Sequence, residues 1–280
     1  MLYYYHKDAI HISKIDLLVK DLKISKDFYT NSIGFSVLKE NENYISLTVD
    51  HETEIIRLHL NEDESYNNQK NNIYHFAILL PSRKDLGKFL HHLISKQIPI
   101  DGAADHLVSE AIYLQDPDGI GIEIYSDKDD SQWNYSNQQI EMETLPFDYK
   151  GVYYATDEDD IFRSLPIDTI IGHLHLQVDK LKETKEFYNE IIGFNIVNDK
   201  INNAVFMSDK NYHHHLAINS WSPQRSRVQR MKSFTITYPN CEKFIETFEN
   251  LKKANIEFEE TNDGILLKDP ENTKIYLSIK

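Results

Sequence analysis

The chain has 280 residues, enough for about two domains with cores of their own, and its 40% apolar and 27% charged content is that of a folded globular protein. Thirty Lys and Arg against 45 Asp and Glu leave a net charge of −15, which repels phosphate backbones and anionic lipid, so neither nucleic acid nor a membrane surface is an expected partner. The lone cysteine, Cys241, has no internal disulfide partner, the N-terminal MLYYYHKDAIHIS carries no secretory pattern, and no stretch reaches the roughly 18 continuous apolar residues of a membrane span; a cytoplasmic protein is expected.

Read in chain order, one pattern recurs. Ile15-Asp-Leu-Leu-Val-Lys-Asp-Leu, Phe28-Tyr29 and Ile33-Gly34-Phe35 return as Leu174-His-Leu-Gln-Val-Asp-Lys-Leu, Phe187-Tyr188 and Ile192-Gly193-Phe194, at a constant offset of 159. A second pair follows: His75-Phe-Ala-Ile-Leu-Leu-Pro and Asp116-Pro-Asp-Gly correspond to Ser233-Phe-Thr-Ile-Thr-Tyr-Pro and Asp269-Pro-Glu-Asn, at offsets of 158 and 153. Each repeat predicts an alternating strand, an amphipathic helix, then two or three strands around a turn. The fold expected is therefore α+β, four βαβββ modules at about 11–60, 72–126, 170–220 and 231–280. Residues 1–126 and 170–280 are read as two paired regions. The connection 127–169 is acidic at both ends, with Asp127, Asp129 and Asp130, then Glu158, Asp159 and Asp160. The aromatic residues between, Trp133, Phe147, Tyr149, Tyr153 and Tyr154, predict that it packs on the body.

These motifs, V-x-D-L, F-Y, I-G-F and a closing D-P-D-G-x-x-I-E-I-Y, resemble the vicinal oxygen chelate superfamily over nearly the whole chain. Its members include glyoxalase I, extradiol dioxygenases, fosfomycin-inactivating thiol transferases and metal-free bleomycin-binding proteins. The length and the Y-H-H-H-L-A-I-N-S-W segment at 212–221 resemble most the two-domain bacterial catechol 2,3-dioxygenase type. The resemblance implies paired modules folded into U-shaped mixed sheets around a divalent metal, with ligands on the first and last strands of each module.

Carried over, the ligand positions fall on Lys14 and Arg57, His75 and Glu123, His173 and His215, and Ser233 and Tyr276. Cations and a Ser/Tyr pair are poor metal donors, so modules one and four are expected to hold none. Pairing in sequence order would leave His173 and His215 without a carboxylate; pairing of modules two and three would gather His75, Glu123, His173 and His215, and both arrangements stay open. Two His and one carboxylate on one metal face suit non-haem Fe(II), with Mn, Ni or Zn as alternatives. Strand alternation puts His75 and Ala77, Glu123 and Tyr125, His173 and His175, and His213 and His215 on the polar face of their strands. His215 is then a fourth ligand or the acid-base residue, with His213 as its substitute. His214 is expected to be non-catalytic, and His106, just before a strand that reaches the hollow, reads as structural, with support of the site from behind as the alternative. Tyr125 is expected to pack or to meet a substrate hydroxyl, and Phe206 and Trp221 to lie in the core. His6, His11, His51, His59, His91 and His92 read as structural.

The function expected is an Fe(II)-dependent extradiol dioxygenase taking a catechol-like aromatic diol and O2, as a monomer or homodimer. The alternatives are a glyoxalase-like isomerase, whose sites in this family carry two His and two Glu, and a metal-free small-molecule binder; a thiol transferase would need a K+ loop that the sequence does not display.

Overall fold

The computed structural model describes residues 8–61, 72–157, 160–221, 231–262 and 264–280; His6, Glu158 and Asp159 lie outside them. The four repeats are present. The first comprises β1 (His11–Val19), β2 (Ser36–Glu40), β3 (Tyr44–Thr48) and β4 (Ile56–Leu60), with α1 (Leu22–Asp27) after β1. The second comprises β5 (Ile73–Leu79), α2 (Arg83–Lys96), β6 (Gly102–Asp105), β7 (Ser109–Gln115) and β8 (Gly121–Asp127). The connection contributes the short β9 (Tyr135–Ser136), β10 (Gln139–Ile140) and β11 (Leu145–Pro146), and α3 (Tyr149–Tyr153). The third repeat holds β12 (Ile170–Gln177), α4 (Leu181–Glu186), β13 (Asn195–Asn198), β14 (Ala204–Ser208) and β15 (Leu216–Asn219). The fourth holds β16 (Met231–Tyr238), α5 (Cys241–Lys253), β17 (Phe258–Thr261), β18 (Gly264–Lys268) and β19 (Lys274–Ile279). The fold is α+β, with large mixed sheets of eight and nine strands.

The helix ends follow from the repeated motifs. Both α1 and α4 run into a π-helical turn, Phe28–Ile33 and Phe187–Ile192, and each turn stops on a glycine at positive φ, Gly34 at 101° and Gly193 at 100°. A side chain there would be strained. Helix α2 starts on Ser82, whose hydroxyl accepts the N–H of Asp85, and buries Leu86, Phe89, Leu90 and Leu93, one face at i, i+3, i+4 and i+7. Each of those side chains contributes roughly 1.5–3 kcal/mol of burial. At Gly87 a Cβ would come within 2.6 Å of the Val152 carbonyl, so only glycine lets α3 lie this close.

By compactness, the described residues of Met1–Leu18, Asp63–Tyr74 and Gly172–Lys280 form one unit, and those of Val19–Glu62 and His75–Ile171 the other. In the first unit β1 pairs antiparallel with β16, β16 parallel with β19, and β18 joins β19 to β17. There too β12 runs parallel to β15, which leads to β14 and β13. The Asn72 carbonyl accepts from Gln177 N–H at 3.1 Å in this unit, so the chain entering the second repeat lies beside the third. The first strand of repeat one thus pairs with the first strand of repeat four, and Asn72, just before the first strand of repeat two, lies beside the first strand of repeat three.

In the second unit β3 lies between β2 and β4, β5 runs parallel to β8, and β7 lies between β8 and β6. The connection packs here: β11 pairs with β6, and Trp133, Phe147, Val152 and Leu165 are buried. Arg83 ties it down, reaching Glu110 on β7 at 2.8 Å and Asp148 at 3.1 Å. Among the described residues no helix is long and apolar enough to cross a membrane.

Candidate metal centre

His75 is the third residue of β5 and Glu123 the third of β8. The parallel register sets His75 beside Gly121 and Ala77 beside Glu123, so imidazole and carboxylate stand on one face, one step apart. His75 Nε2 and a Glu123 carboxylate oxygen are 3.1 Å apart. His173 stands on β12, and one ligand atom each from His75, Glu123 and His173 lies within 4.8 Å of the others. The three are 8%, 3% and 2% exposed. Two imidazoles and a carboxylate withdrawn from water, with their donor atoms converging, form a set that fits a divalent first-row metal; apolar burial of the same groups without one would be costly.

The fourth sequence candidate, His215, is not in this group of three. Alternation was extended from β15 back through His215 and His213, but the strand begins at Leu216, and Lys210 and Asn211 just upstream have positive φ, 58° and 61°. The chain also bends at 213 and 215, so strict alternation does not carry back from β15 through these residues. His215 is fully buried: its Nδ1 accepts from the Asp209 N–H at 3.2 Å, and its ring stacks on Phe194 at 6.2 Å. His214, assigned no role from the sequence, has its ring 4.0 Å from that of His173. His213 and His214 face each other through Nδ1 atoms 2.7 Å apart, so one donates to the other. His213 itself lies 6.3 Å, ring to ring, from His173.

Tyr113 is a residue that the sequence reading missed. It faces Glu123 directly across β7 and β8, and its ring lies 6.0 Å from that of His75. Its hydroxyl is 2.6 Å from His106 Nε2, and His106 Nδ1 is 2.7 Å from the Glu143 carbonyl. A carbonyl only accepts, so Nδ1 carries the hydrogen and, in the neutral ring, Nε2 accepts from the Tyr113 phenol. His106 is therefore joined to Tyr113, whose ring neighbours that of His75. Tyr125 is fully buried, and burial, reinforced by Asp127 and Glu123, pushes its phenol well up, so it stays protonated.

At the other repeats the carried-over positions are engaged differently. Arg57 makes a bidentate pair with Glu54 at 2.6 and 2.7 Å, and Lys14 lies 3.6 Å from Asp16. Ser233 is buried and Tyr276 exposed. His91 and His92 bond to the carbonyls of Tyr153 and Ser32, and His11 to that of Ala9. Phe206 is buried as expected, whereas Trp221 is exposed because it follows the end of β15, its indole N–H donating to Asn202.

Residues 11–124 and 170–270 match the model of the glyoxalase/bleomycin resistance protein/dioxygenase superfamily. The chain is 39% identical over 274 residues, 95% of each protein, to a Bacillus subtilis (strain 168) protein named catechol-2,3-dioxygenase. Among solved structures, one from Bacillus subtilis subsp. subtilis str. 168 shares the fold with a TM-score of 0.68 at 12% identity, covering 98% of this chain and 86% of that one. Glyoxalase I from Zea mays shares it with a TM-score of 0.59 at 15% identity, covering 96% and 92%. The four-repeat architecture, the matched residues and the identity to the Bacillus protein agree, and the chain belongs to the glyoxalase/bleomycin resistance protein/dioxygenase superfamily.

Proposed function

We propose that this chain is a metal-dependent extradiol dioxygenase that opens the ring of a catechol-like diol. The observation that carries this reading is the convergence of His75, Glu123 and His173, a two-His, one-carboxylate set, in a chain 39% identical to a protein named catechol-2,3-dioxygenase. Three protein donors leave coordination positions for a diol and for O2, and the set favours Fe(II). The net reaction breaks one ring C–C bond beside a diol carbon and places both oxygen atoms of O2 in the product, so it needs no external reductant.

When bound, the metal would supply Lewis acidity toward the diol oxygens and an electronic path to O2. The chain's residues do the rest. Glu123 brings one negative charge against the divalent ion, and burial of all three donors keeps bulk water out. Tyr113 holds a phenolic hydrogen beside His75 and can pass it to His106 Nε2, whose orientation is fixed by the Glu143 carbonyl. His214 offers a second imidazole against His173, linked to His213. One carboxylate rather than two in the group weighs against the isomerase alternative. The free, exposed thiol of Cys241 is in keeping with a cytoplasmic enzyme.

The test is metal analysis of anaerobically purified, untagged protein beside a His173→Ala variant, followed by O2 uptake with catechols. About one Fe per chain, lost in the variant, with one O2 consumed per diol opened, is expected. Turnover of thiol hemiacetals without O2 would establish the isomerase instead. No metal and no O2 uptake after Fe(II) reconstitution would overturn the enzyme reading.

A further inference from the structure

Between the last turns of α2 and the connection that returns across it, within a single compact unit, lies a cavity of about 410 Å³. Its walls are rings: His91 lies on Tyr153 at 4.1 Å, and His92 on Phe162 at 4.7 Å. Ile94 and Ile161, 57% and 72% exposed, border it. The volume lies in the range of small-molecule sites, and an occupant would take both isoleucines out of water.

Most polar groups of the cavity are already matched. Asp160 is held by Lys84 at 2.8 Å and by Lys88 at 3.2 Å. Ser95 donates its hydroxyl hydrogen to the His92 carbonyl at 3.0 Å. His92 Nε2 donates to the Ser32 carbonyl at 3.1 Å, and burial, with the nearby Lys96 ammonium adding to it, holds this ring below its ordinary pKa. Two groups are left over. His91 Nε2 donates to the Tyr153 carbonyl at 2.8 Å, so in the neutral ring Nδ1 keeps a lone pair. Lys96 stands four residues after His92, on the same side of α2, and makes no ion pair among the described residues. The cavity therefore offers one unmatched cation and one imidazole acceptor beside flat apolar walls.

We infer that this cavity binds an aromatic hydroxy acid, a flat ring carrying one carboxylate and one hydroxyl. The carboxylate meets the Lys96 ammonium, the hydroxyl donates to His91 Nδ1, and the ring packs against Ile94, Ile161 and the rings of Tyr153 and Phe162. A cation would be repelled by Lys96 and a neutral ring would leave it unmatched, so the leftover groups select an anion. The site uses none of the proposed metal ligands.

The experiment is isothermal titration calorimetry of the full chain with 3- and 4-hydroxybenzoate, whose hydroxyl and carboxylate are not adjacent. It is repeated in Lys96→Ala, which deletes the cation, and in Ile161→Trp, which fills the cavity; both positions are exposed, and melting curves check that the variants are folded. One site for at least one of the two acids is expected, weakened about tenfold or more in each variant. The corresponding hydroxybenzamide, which is neutral, should bind the wild type about tenfold more weakly, and benzoate, which lacks the hydroxyl, about fivefold. No saturable heat with either acid overturns the site. So does unchanged affinity in Lys96→Ala or in Ile161→Trp, or an amide or benzoate that binds as tightly as the hydroxy acid.

Discussion

Tyr188 donates its phenolic hydrogen to Asp269 across 2.9 Å, joining the π-helical end of the third repeat to the Asp-Pro turn of the fourth. Tyr29 and Asp116 do the same at 3.1 Å between the first and second repeats. Each aspartate also accepts two N–H groups of its own turn, Asp269 from Glu271 and Thr273, Asp116 from Asp118 and Ile120. One carboxylate therefore shapes a turn and anchors a helix. Tyr188→Phe removes one buried hydrogen bond and should lower stability by about 1–2 kcal/mol, as should Tyr29→Phe. The pairs lie in different compact units and share no partner, so thermal or urea unfolding of the double variant should show the sum.

The same carboxylates give the molecule a pH signature. Burial pushes Asp269 up to about 6, and Asp116 likewise, despite the hydrogen bonds that pull them down. A carboxyl with a folded pKa above its unfolded value of about 3.9 adds stability that is complete below pH 4 and is lost as pH rises through about 6. For Asp269 the change is on the order of 2–3 kcal/mol. Asp269→Asn cannot titrate, so the stability of the wild type relative to this variant should fall between pH 4 and 6 and then level off. Unfolding free energies at pH 4, 5, 6 and 7 decide it; a relative stability that rises over this range would refute the assignment.

The repeats were legible because F-Y, I-G-F and D-P-D-G each specify a local geometry: a helix end on a left-handed glycine, a buried phenol, and a turn held by its first aspartate. His75, Glu123 and His173 lie well inside regular strands, where period-two alternation is valid. His215 lies one residue before β15 begins, and the chain bends at 213 and 215, so it is His214 whose ring meets that of His173. Trp221 lies beyond the other end of the same strand, where burial no longer follows from an apolar neighbourhood. Tyr113 was hidden by the turn: reflection about the middle of Asp-Pro-Asp-Gly at 116–119 sets residue 113 against 122, whereas the strands pair about residue 118 and set it against 123.

Tyr113 provides a direct test of proton handling. Tyr113→Phe keeps the ring beside His75 and deletes only the hydroxyl that faces His106. The metal content should remain at about one per chain while kcat falls about 100-fold, the range for a lost general acid or base. His106→Ala should produce a similar fall, and the double variant little more, because the two groups act as one unit. Steady-state kinetics with parallel metal analysis separates this from a structural role, in which metal would be lost along with rate.

Removal of ligands and removal of core should separate cleanly among the histidines and Glu123. Glu123→Ala and His173→Ala each delete one of three convergent donors, and metal affinity should drop by 100-fold or more, leaving purified protein essentially metal-free. His215→Ala instead empties a fully buried site between Phe194 and Tyr212 and removes the acceptor for the Asp209 N–H. It should cost about 2–4 kcal/mol of stability, by analogy with large-to-small core changes, and keep about one metal per chain. Melting curves and elemental analysis of the three variants side by side give the answer. Loss of metal in a folded His215→Ala protein would restore it as a ligand, and retention in Glu123→Ala would remove the carboxylate from the set.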